Sequence, residues 1–240
     1  MISERIPIYA VITPSHRVLY EEFFLPSLNQ DHFELHALDL EQEGKGEFLA
    51  DDFKQCILFK VEQIIASIKK HQQKIIVWSD VDIQFFGLTA TKLLAPFKNV
   101  KLLFAVQRLA RGRNDVCGGF YALRCNEQTL RFFENVLDAT IHETNGNEQD
   151  ALNLLLQKDG APEWEFLGPE FYARTHGVWI PRNSVIHHAT CILPGDAVRQ
   201  KVNLLQGLNQ FHQWSNTRRL IFRLSSLAKA LLRKIGLRSL

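Results

Sequence analysis

An apolar run that ends in two aspartates constrains the fold of this chain more than any other feature. Residues 75–78 are Ile-Ile-Val-Trp, and Ser79, Asp80, Val81 and Asp82 follow. Four successive large apolar residues are typical of a strand buried on both faces, as in a parallel sheet covered by helices. Carboxylates are rarely buried in such a sheet, so we expect both acids just past the strand. The run therefore predicts an α/β fold with a site at the carboxyl edge of its sheet.

The spacing of the two acids predicts a metal site. Asp80 and Asp82 are two positions apart, and such side chains point the same way along extended backbone. Both carboxylates can therefore face one point in the crevice. Mg²⁺ and Mn²⁺ prefer oxygen ligands and usually share them with substrate phosphates. We expect the pair to bind Mn²⁺ or Mg²⁺ together with a diphosphate.

The composition is that of an ordinary globular protein. The 240 residues are 46% hydrophobic and 22% charged, with a formal net charge of +2, and the chain is long enough for a sizeable core. No run approaches the ~20 apolar residues of a membrane span, and the first residues lack the apolar centre of a signal peptide. The four cysteines have no metal-binding spacing, which favours a reducing, cytoplasmic compartment: Cys56, Cys117, Cys125 and Cys191.

Apolar periodicity predicts alternating strands and helices, as expected of an α/β domain. Besides the central strand, we expect strands over residues 8–12, 34–40, 101–107, 117–123, 164–167, 178–180 and 184–187. Helices are expected from Asp51 or Asp52 to about residue 68, over residues 89–97, after Asn126, and from residue 147 onward. The third helix is predicted to bury one face made of Leu130, Phe133, Leu137 and Ile141.

Several polar residues near these strand ends are candidate ligand contacts. Thr13 and Arg17 follow the first strand and could touch a nucleotide, although a plain strand-to-helix turn explains them equally well. Lys60 lies beside the apolar face of its helix and could reach a phosphate; the alternative is a stem packed along the helix with its ammonium in water. Residues 108–115 form a basic loop that could hold acceptor or phosphate, or could simply be solvated.

Two later segments carry further candidates. Glu148 and Asp150 could face substrate, but Asn147 with Asp150 three positions later also resembles a helix-capping arrangement. His187 and His188 end the last predicted strand. Because adjacent strand residues face opposite sides, at most one of these histidines is expected to reach a metal at the aspartate pair.

Four segments in this order resemble the nucleotide-diphospho-sugar transferases with a GT-A fold. They are residues 77–82, residues 119–124, residues 147–150, and His188 with Gly195 and Lys201, and the resemblance covers about residues 6–205. The aspartate pair is similar to the D-x-D motif of that family. The resemblance implies a single GT-A domain over residues 1–215, with a mostly parallel central sheet flanked by helices.

The resemblance also implies roles for individual residues. Asp82 and His188 would bind the metal, Asp80 would contact the same ion and the nucleotide, and Lys201 would meet the diphosphate. Gly119 would lie against the donor. The sequence departs from the family pattern at Cys117 and Gly118, where Asn or Asp often precedes the glycine, and in the longer gap between His188 and Lys201.

The implied reaction is metal-dependent transfer of a sugar from a nucleotide-diphosphate donor, first of all a UDP-sugar, as in polysaccharide biosynthesis. The acceptor would be a hydroxyl of a glycan or a lipid-linked molecule, and the resemblance implies retention of configuration. If configuration inverts instead, Asp150 or Glu148 would be the base.

Two other functions compete with transfer. One is a catalytically silent module that binds nucleotide sugars. The other is a D-x-D phosphatase of the haloacid dehalogenase type, which is disfavoured because Gln84 stands where that family has Thr or Val.

The C-terminal residues 216–240 form a separate basic segment. They contain seven Lys or Arg and no acid, and Leu220, Leu224, Leu227, Leu231 and Ile235 fall on one helical face. A basic amphipathic helix of this kind favours peripheral binding to an anionic membrane, here the inner face of the cytoplasmic membrane. A final helix docked on the domain is the alternative, and no nucleic-acid partner is expected.

Overall fold

The computed structural model describes residues 4–41, 51–109, 114–144, 147–173, 183–190 and 196–234. The strands are β1 Ile6–Ile12, β2 Phe33–Asp39, β3 Ile75–Ser79, β4 Ile83–Phe85, β5 Phe104–Arg108, β6 Val116–Arg124, β7 Trp164–Phe166, β8 Phe171–Ala173 and β9 Ile186–His188. The α-helices are α1 Arg17–Leu19, α2 Leu25–Ser27, α3 Asp51–Lys70, α4 Thr89–Leu94, α5 Glu127–His142, α6 Glu148–Leu155, α7 Ala197–Gln213 and α8 Asn216–Lys234. Short 3-10 helices at Pro14–His16 and Pro96–Lys98 and a π-helical stretch at Tyr20–Phe24 complete the chain.

Six strands form the central sheet in the order β2-β1-β3-β6-β5-β7. The β1 strand pairs in parallel with β2 and β3, and β5 pairs in parallel with β7. Only β6 among these six runs antiparallel to its neighbours. The predicted α/β fold with a mostly parallel sheet flanked by helices is confirmed.

Both faces of this sheet are buried, as the apolar run of β3 requires. Val77 packs in one core layer with the segment after β1 and with α4, while Ile76 and Trp78 pack in the other. The second layer contains the apolar face of α3, represented by Val61 and Ile64. The alternation of β3 side chains between two apolar layers explains why polar residues appear only where the strand ends.

A capping box begins α5, but the buried face of this helix differs from the predicted one. Asn126 accepts a hydrogen bond from the Thr129 backbone, and the Thr129 hydroxyl accepts one from the Asn126 backbone. The face that packs inward consists of Thr129, Phe132, Phe133, Val136, Ala139 and Thr140. Ile141 is 50% exposed, so its predicted place in the core was wrong. The helix packs along α3, and its Phe133 stacks on Tyr121 of β6, so the buried face does not include residue 141.

A second, three-stranded sheet with the order β4-β9-β8 lies beyond the end of β3. Its antiparallel β4–β9 pairing places Ile83 opposite His188, and the Ala189 backbone donates to the Asp82 carbonyl at 2.9 Å. This pairing brings a segment more than 100 residues away next to the two aspartates. The β8 strand was not predicted from the sequence, and the strand expected over residues 178–180 lies outside the described residues.

Candidate active site

Four strands meet at one edge of the central sheet. The carboxyl ends of β1, β3 and β5 lie there together with the amino end of the reversed strand β6. Asp80 follows β3 and its backbone donates to the Gly119 carbonyl of β6 at 2.7 Å. The site therefore combines side chains that follow parallel strands with the main chain of a strand that begins at the same edge.

Asp80, Asp82 and His188 converge at this edge. One ligand atom from each of the three lies within 4.8 Å of the others. Asp82 and His188 are buried, with 5% and 3% exposure, whereas the Asp80 side chain is 39% exposed toward solvent. The sequence prediction that these three residues come together agrees with the structure, although their role as metal ligands stays a prediction.

Hydrogen bonds fix the tautomer of His188. The side-chain amide of Gln107 donates to the Phe171 carbonyl at 3.2 Å, which turns its oxygen toward Nδ1 of His188 at 2.8 Å. Nδ1 therefore carries a proton, and the thiol of Cys117 lies 3.5 Å from the same nitrogen. Nε2 is left to face the aspartates, which is how protein histidines are oriented when they bind metals.

Asp82 and His188 present the chemistry that a divalent cation requires. Nε2 lies 3.1 Å from Oδ1 of Asp82, yet this buried oxygen has no well-oriented hydrogen-bond partner among the described residues. Burial opposes ionisation of Asp82, but Lys201 and then His188 outweigh it and hold the pKa of the carboxyl well below its usual range. Burial likewise lowers the pKa of His188, while Asp82 and then Cys117 raise it well above 6.5. Asp82 and His188 form an ion pair through Nε2, and the donor set fits Mn²⁺ or Mg²⁺ in place of the Nε2 proton.

Gly119 is required by close packing at this site. A Cβ atom at position 119 would lie 2.2 Å from Cε1 of His188 and 2.6 Å from Oδ2 of Asp80. Any larger residue would push these two side chains apart. Gly118 is less crowded, since its Cβ would lie 2.9 Å from an oxygen of Glu148. The glycine pair noted in the sequence therefore allows side chains to pack against the β6 backbone.

Lys201 reaches the site from α7. Its ammonium lies 2.7 Å from Oδ2 of Asp82, and its side chain is 16% exposed. The longer spacing after His188 thus does not prevent Lys201 from reaching the aspartates. Contact with a diphosphate remains a prediction, and Gly195 lies outside the described residues.

Lys60 forms a buried network rather than a solvated stem. It is 4% exposed, and its ammonium donates to Oδ1 of Asp80 at 3.0 Å, to the Gly118 carbonyl at 2.9 Å and to Oε1 of Glu148 at 2.8 Å. The alternative that its ammonium lies in water was therefore wrong. Burial lowers the pKa of Lys60, but Asp80 and Glu148 together raise it well above the usual value, so the group is charged. Its three hydrogens are all donated to protein acceptors, and a phosphate would have to compete with them.

The two carboxylates at the start of α6 have different surroundings. Glu148 is 5% exposed and paired with Lys60, whereas Asp150 is exposed and accepts a hydrogen bond from the Asn147 amide at 2.8 Å. Asn147 caps the helix by accepting from the Gln149 backbone. Asp150 therefore lacks the backbone contact of the capping box that the sequence suggested.

Thr13 and Arg17 differ in burial and in their partners. Thr13 is buried, and its hydroxyl lies 3.1 Å from Nδ1 of His16 and 3.2 Å from the Ser15 hydroxyl. Arg17 is 47% exposed and donates at 2.5 Å to Asp39, the last residue of the neighbouring strand β2. Both predicted nucleotide contacts thus already have protein partners.

Two residues at the site were missed by sequence reasoning. Gln107 is fully buried and orients His188. His16 is half-buried, and the charges that act on it are those of Lys201, Asp82 and Asp80. A glutamine that ends an apolar run of β5 was the available signal for Gln107, because such a run otherwise has no reason to bury an amide.

The family comparison agrees with this geometry. The sequence profile of the nucleotide-diphospho-sugar transferases matches residues 33–221, which include every element from β2 to the start of α8. This chain belongs to that family. Asp80 and Asp82 are consistent with the D-x-D motif of that family.

Solved glycosyltransferases have a similar fold. The chain resembles a glycosyltransferase involved in glycosylation of the major capsid of PBCV-1, with a TM-score of 0.58 and 11% identity, over 84% of this chain and 98% of that one. It also resembles the apo form of the glycosyltransferase GlyE of Streptococcus pneumoniae, with a TM-score of 0.52 and 12% identity, over 88% of this chain and 64% of that one. At these identities the likeness shows a GT-A-type fold.

One curated relative matches part of the chain. It is an uncharacterised protein of Arabidopsis thaliana, 24% identical over 114 residues, which are 48% of this chain and 33% of that protein. The match thus spans about a third of the relative's length. Across the described residues, the structure contains no helix whose length and hydrophobicity would let it cross a bilayer.

Proposed function

We propose that this protein is a metal-dependent glycosyltransferase that moves a sugar from a nucleotide-diphosphate donor to a hydroxyl. The observation that carries the proposal is the convergence of Asp80, Asp82 and His188, with a buried Asp82 oxygen that lacks a well-oriented hydrogen-bond partner. Mn²⁺ or Mg²⁺ bound there would neutralise negative charge on the leaving diphosphate. A UDP-sugar is the donor we propose first.

Each residue of the site then has a distinct task. Asp82 and His188 bind the cation, with Nε2 of His188 oriented through Gln107. Asp80, more exposed than Asp82, contacts the cation from the nucleotide side, and Gly119 allows the donor and His188 to approach the strand. We propose that Lys201 moves from Asp82 to the diphosphate when donor binds, since an ammonium is a suitable partner for either anion.

We propose retention of configuration, because the surroundings of Glu148 disfavour one of the two candidate bases for inversion. Inversion requires a free carboxylate to remove the acceptor proton. Glu148 is buried and paired with Lys60, which disfavours its use as a base. Under retention the departing phosphate takes that proton, and Asp150, exposed at the start of α6, remains our candidate for contacting the sugar.

The experiment that tests this function measures nucleoside-diphosphate release from a panel of nucleotide sugars with Mn²⁺, with Mg²⁺ and with EDTA. We expect one donor to be hydrolysed or transferred only with metal, and Asp82→Asn to abolish the release. The control is Asp138→Asn, because Asp138 is 71% exposed on α5 and is not among the residues of the site.

Two outcomes would contradict the proposal. Metal-dependent binding of a donor without any release would identify a silent binding module. Release that persists in Asp82→Asn would reject the assigned metal ligand. A thermal unfolding curve of each variant, measured without metal, shows whether the fold is intact.

We further propose that residues 1–215 form the catalytic domain and that residues 216–240 bind an anionic membrane, placing the enzyme on the cytoplasmic face beside a glycan or lipid-linked acceptor. The orientation of α8 supports this. Phe222 packs on Phe211 and Trp214, with ring centroids 5.6 and 5.4 Å away, so this side of the helix faces the domain. Leu220 and Leu224 lie on another side and are 54% and 57% exposed.

This orientation argues against the alternative of a helix docked by its apolar face. Ile221 is also 62% exposed, whereas the guanidinium groups of Arg218 and Arg219 lie over the rings of Trp214 and Phe211. An exposed apolar stripe on a helix rich in basic residues suits the boundary between lipid headgroups and acyl chains. The side chains of Leu227 and Leu231 and all of Ile235 lie outside the described part of the chain.

Vesicle sedimentation tests the membrane proposal. We expect the full chain to bind vesicles that contain phosphatidylserine and to be released by salt, because the basic residues act through screened charge. The double variant Leu220→Ser with Leu224→Ser should lose binding. Leu154→Ser is the matched control, since Leu154 is an apolar residue 38% exposed on α6. Equal binding by both variants would contradict a role for the α8 stripe.

A further inference from the structure

The turn after β1 brings a histidine to the site that the sequence did not single out. β1 and β3 are paired in parallel, with Ile8 opposite Val77 and Tyr9 opposite Trp78. Continuing that register places residue 13 level with residue 82. The 3-10 helix Pro14–His16 follows at once, so His16 lies over the edge that carries the aspartates.

The ring of His16 is held from one side only. Its Nδ1 atom lies 3.1 Å from the Thr13 hydroxyl and 3.0 Å from the Ser15 hydroxyl, and its backbone donates to the Thr13 carbonyl at 3.1 Å. Both hydroxyls can donate to an unprotonated Nδ1, and in that tautomer the ring proton is on Nε2. The half-buried ring then presents an N–H group from a fixed position.

The charges that act on His16 are those of the candidate metal site. Burial lowers its pKa, Lys201 lowers it further, and Asp82 and Asp80 oppose this change. The ring therefore lies within electrostatic range of the three charged residues at that site. A ring N–H there is a suitable donor to an oxygen of a bound anion or sugar.

We propose that His16 is a donor-binding residue that gives a hydrogen bond from Nε2 to an oxygen of the nucleoside diphosphate. This rests on the proposed function of the same site. This role also accounts for the buried hydroxyl of Thr13 at the end of β1. Thr13 orients the His16 ring, and His16 contacts the ligand. Arg17, exposed and paired with Asp39, then lies outside the donor site.

Two substitutions separate ligand binding from support of the turn. Asparagine at position 16 keeps a polar atom near Nδ1, where it can accept from Thr13 or Ser15, but it has no donor at the distance of Nε2. Glutamine is longer and can place its amide N–H near the Nε2 position. His142→Asn is the control, because His142 is 67% exposed on α5.

The experiment is calorimetric titration of the full chain with UDP, GDP and ADP in the presence of Mn²⁺, and with Mn²⁺ alone. For the nucleotide that binds wild type, we expect His16→Asn to weaken binding about tenfold, the usual size of one lost hydrogen bond to a charged group. His16→Gln should stay within about threefold of wild type, since its amide restores the donor. Binding of Mn²⁺ alone should not change in either variant.

The outcomes distinguish this proposal from the function on which it rests. If wild type binds none of the three nucleotides with Mn²⁺, the proposed function fails and this inference fails with it. If wild type binds and His16→Asn binds equally well, the function stands and the role of His16 is rejected. Equal weakening by both variants, or a loss of Mn²⁺ affinity, would show that the residue only supports the turn.

Discussion

Replacing Gly119 by alanine should destroy the proposed metal site while leaving the central sheet folded. The added methyl carbon would lie 2.2 Å from Cε1 and 2.9 Å from Nε2 of His188, and 2.6 Å from Oδ2 of Asp80. All of these distances are shorter than any real contact of a Cβ atom. Either the β6 backbone or both side chains must therefore move.

The size of the displacement follows from ordinary contact distances. Two carbon atoms prefer a separation of about 3.5 Å, so the His188 ring has to retreat by roughly 1.3 Å. Overpacking of this kind costs about 1–3 kcal/mol of stability, which a domain of ordinary stability survives. A misplacement of about 1 Å at a reacting centre costs roughly a hundredfold in rate. We expect turnover to fall at least that far and Mn²⁺ affinity to fall with it.

Two other glycines supply graded controls. In Gly118→Ala the new Cβ would be 2.9 Å from Oε1 of Glu148, the end of a flexible side chain, so a smaller loss is expected. In Gly207→Ala the Cβ meets nothing within 4 Å on helix α7. That change should leave activity intact and stabilise the helix by about 0.5–1 kcal/mol.

The assay is Mn²⁺-dependent release of nucleoside diphosphate, combined with Mn²⁺ titration and urea unfolding of the same three variants. The expected order of activity is Gly207→Ala, then Gly118→Ala, then Gly119→Ala. Wild-type metal affinity and turnover in Gly119→Ala would refute the close packing of His188 and Asp80 on β6. Complete loss of folding in that variant would refute the estimate of its structural cost.

Two further predictions concern stability. Lys60→Met should destabilise the fold by about 3–5 kcal/mol, because Glu148 and Asp80 lose their shared cation, and adding Glu148→Gln should recover part of the loss in urea unfolding. His71→Gln should reduce the loss of stability below about pH 6.5. Burial and then Lys70 lower the pKa of His71, so the unfolded chain binds more protons at this residue and the protein loses stability as the pH is lowered. Glutamine can still accept a hydrogen bond from the Tyr9 hydroxyl, which lies 2.7 Å from Nε2 of His71. An unchanged difference between urea midpoints at pH 5.5 and 7.5 would contradict this.

The sequence was sufficient for the parts of the fold that depend on local pattern. The apolar run of β3, the helical spacing of α3 and the Asn126 cap each appear within one segment and were predicted correctly. The position of the two acids followed from the same pattern, because an apolar strand leaves carboxylates no place except its end. Family resemblance added His188 and Lys201, which no local pattern connects with residues 80–82.

The sequence could not predict side-chain contacts between residues that are far apart along the chain. Lys60 looks like a solvated helix residue until Glu148, 88 positions later, is brought beside it. The orientation of His188 depends on Gln107, which is 81 positions away. The three-residue strand β8 is too short to show periodicity, and it forms because β9 provides a neighbouring edge.

The reversed direction of β6 has a consequence for how this site can change over time. Because the strand starts where its neighbours finish, its carbonyls at Gly118 and Gly119 anchor the Lys60 ammonium and the Asp80 amide. These anchors belong to the peptide backbone, which side-chain substitutions leave in place. Replacements of surrounding residues can therefore retune donor preference while the framework that positions the acids persists.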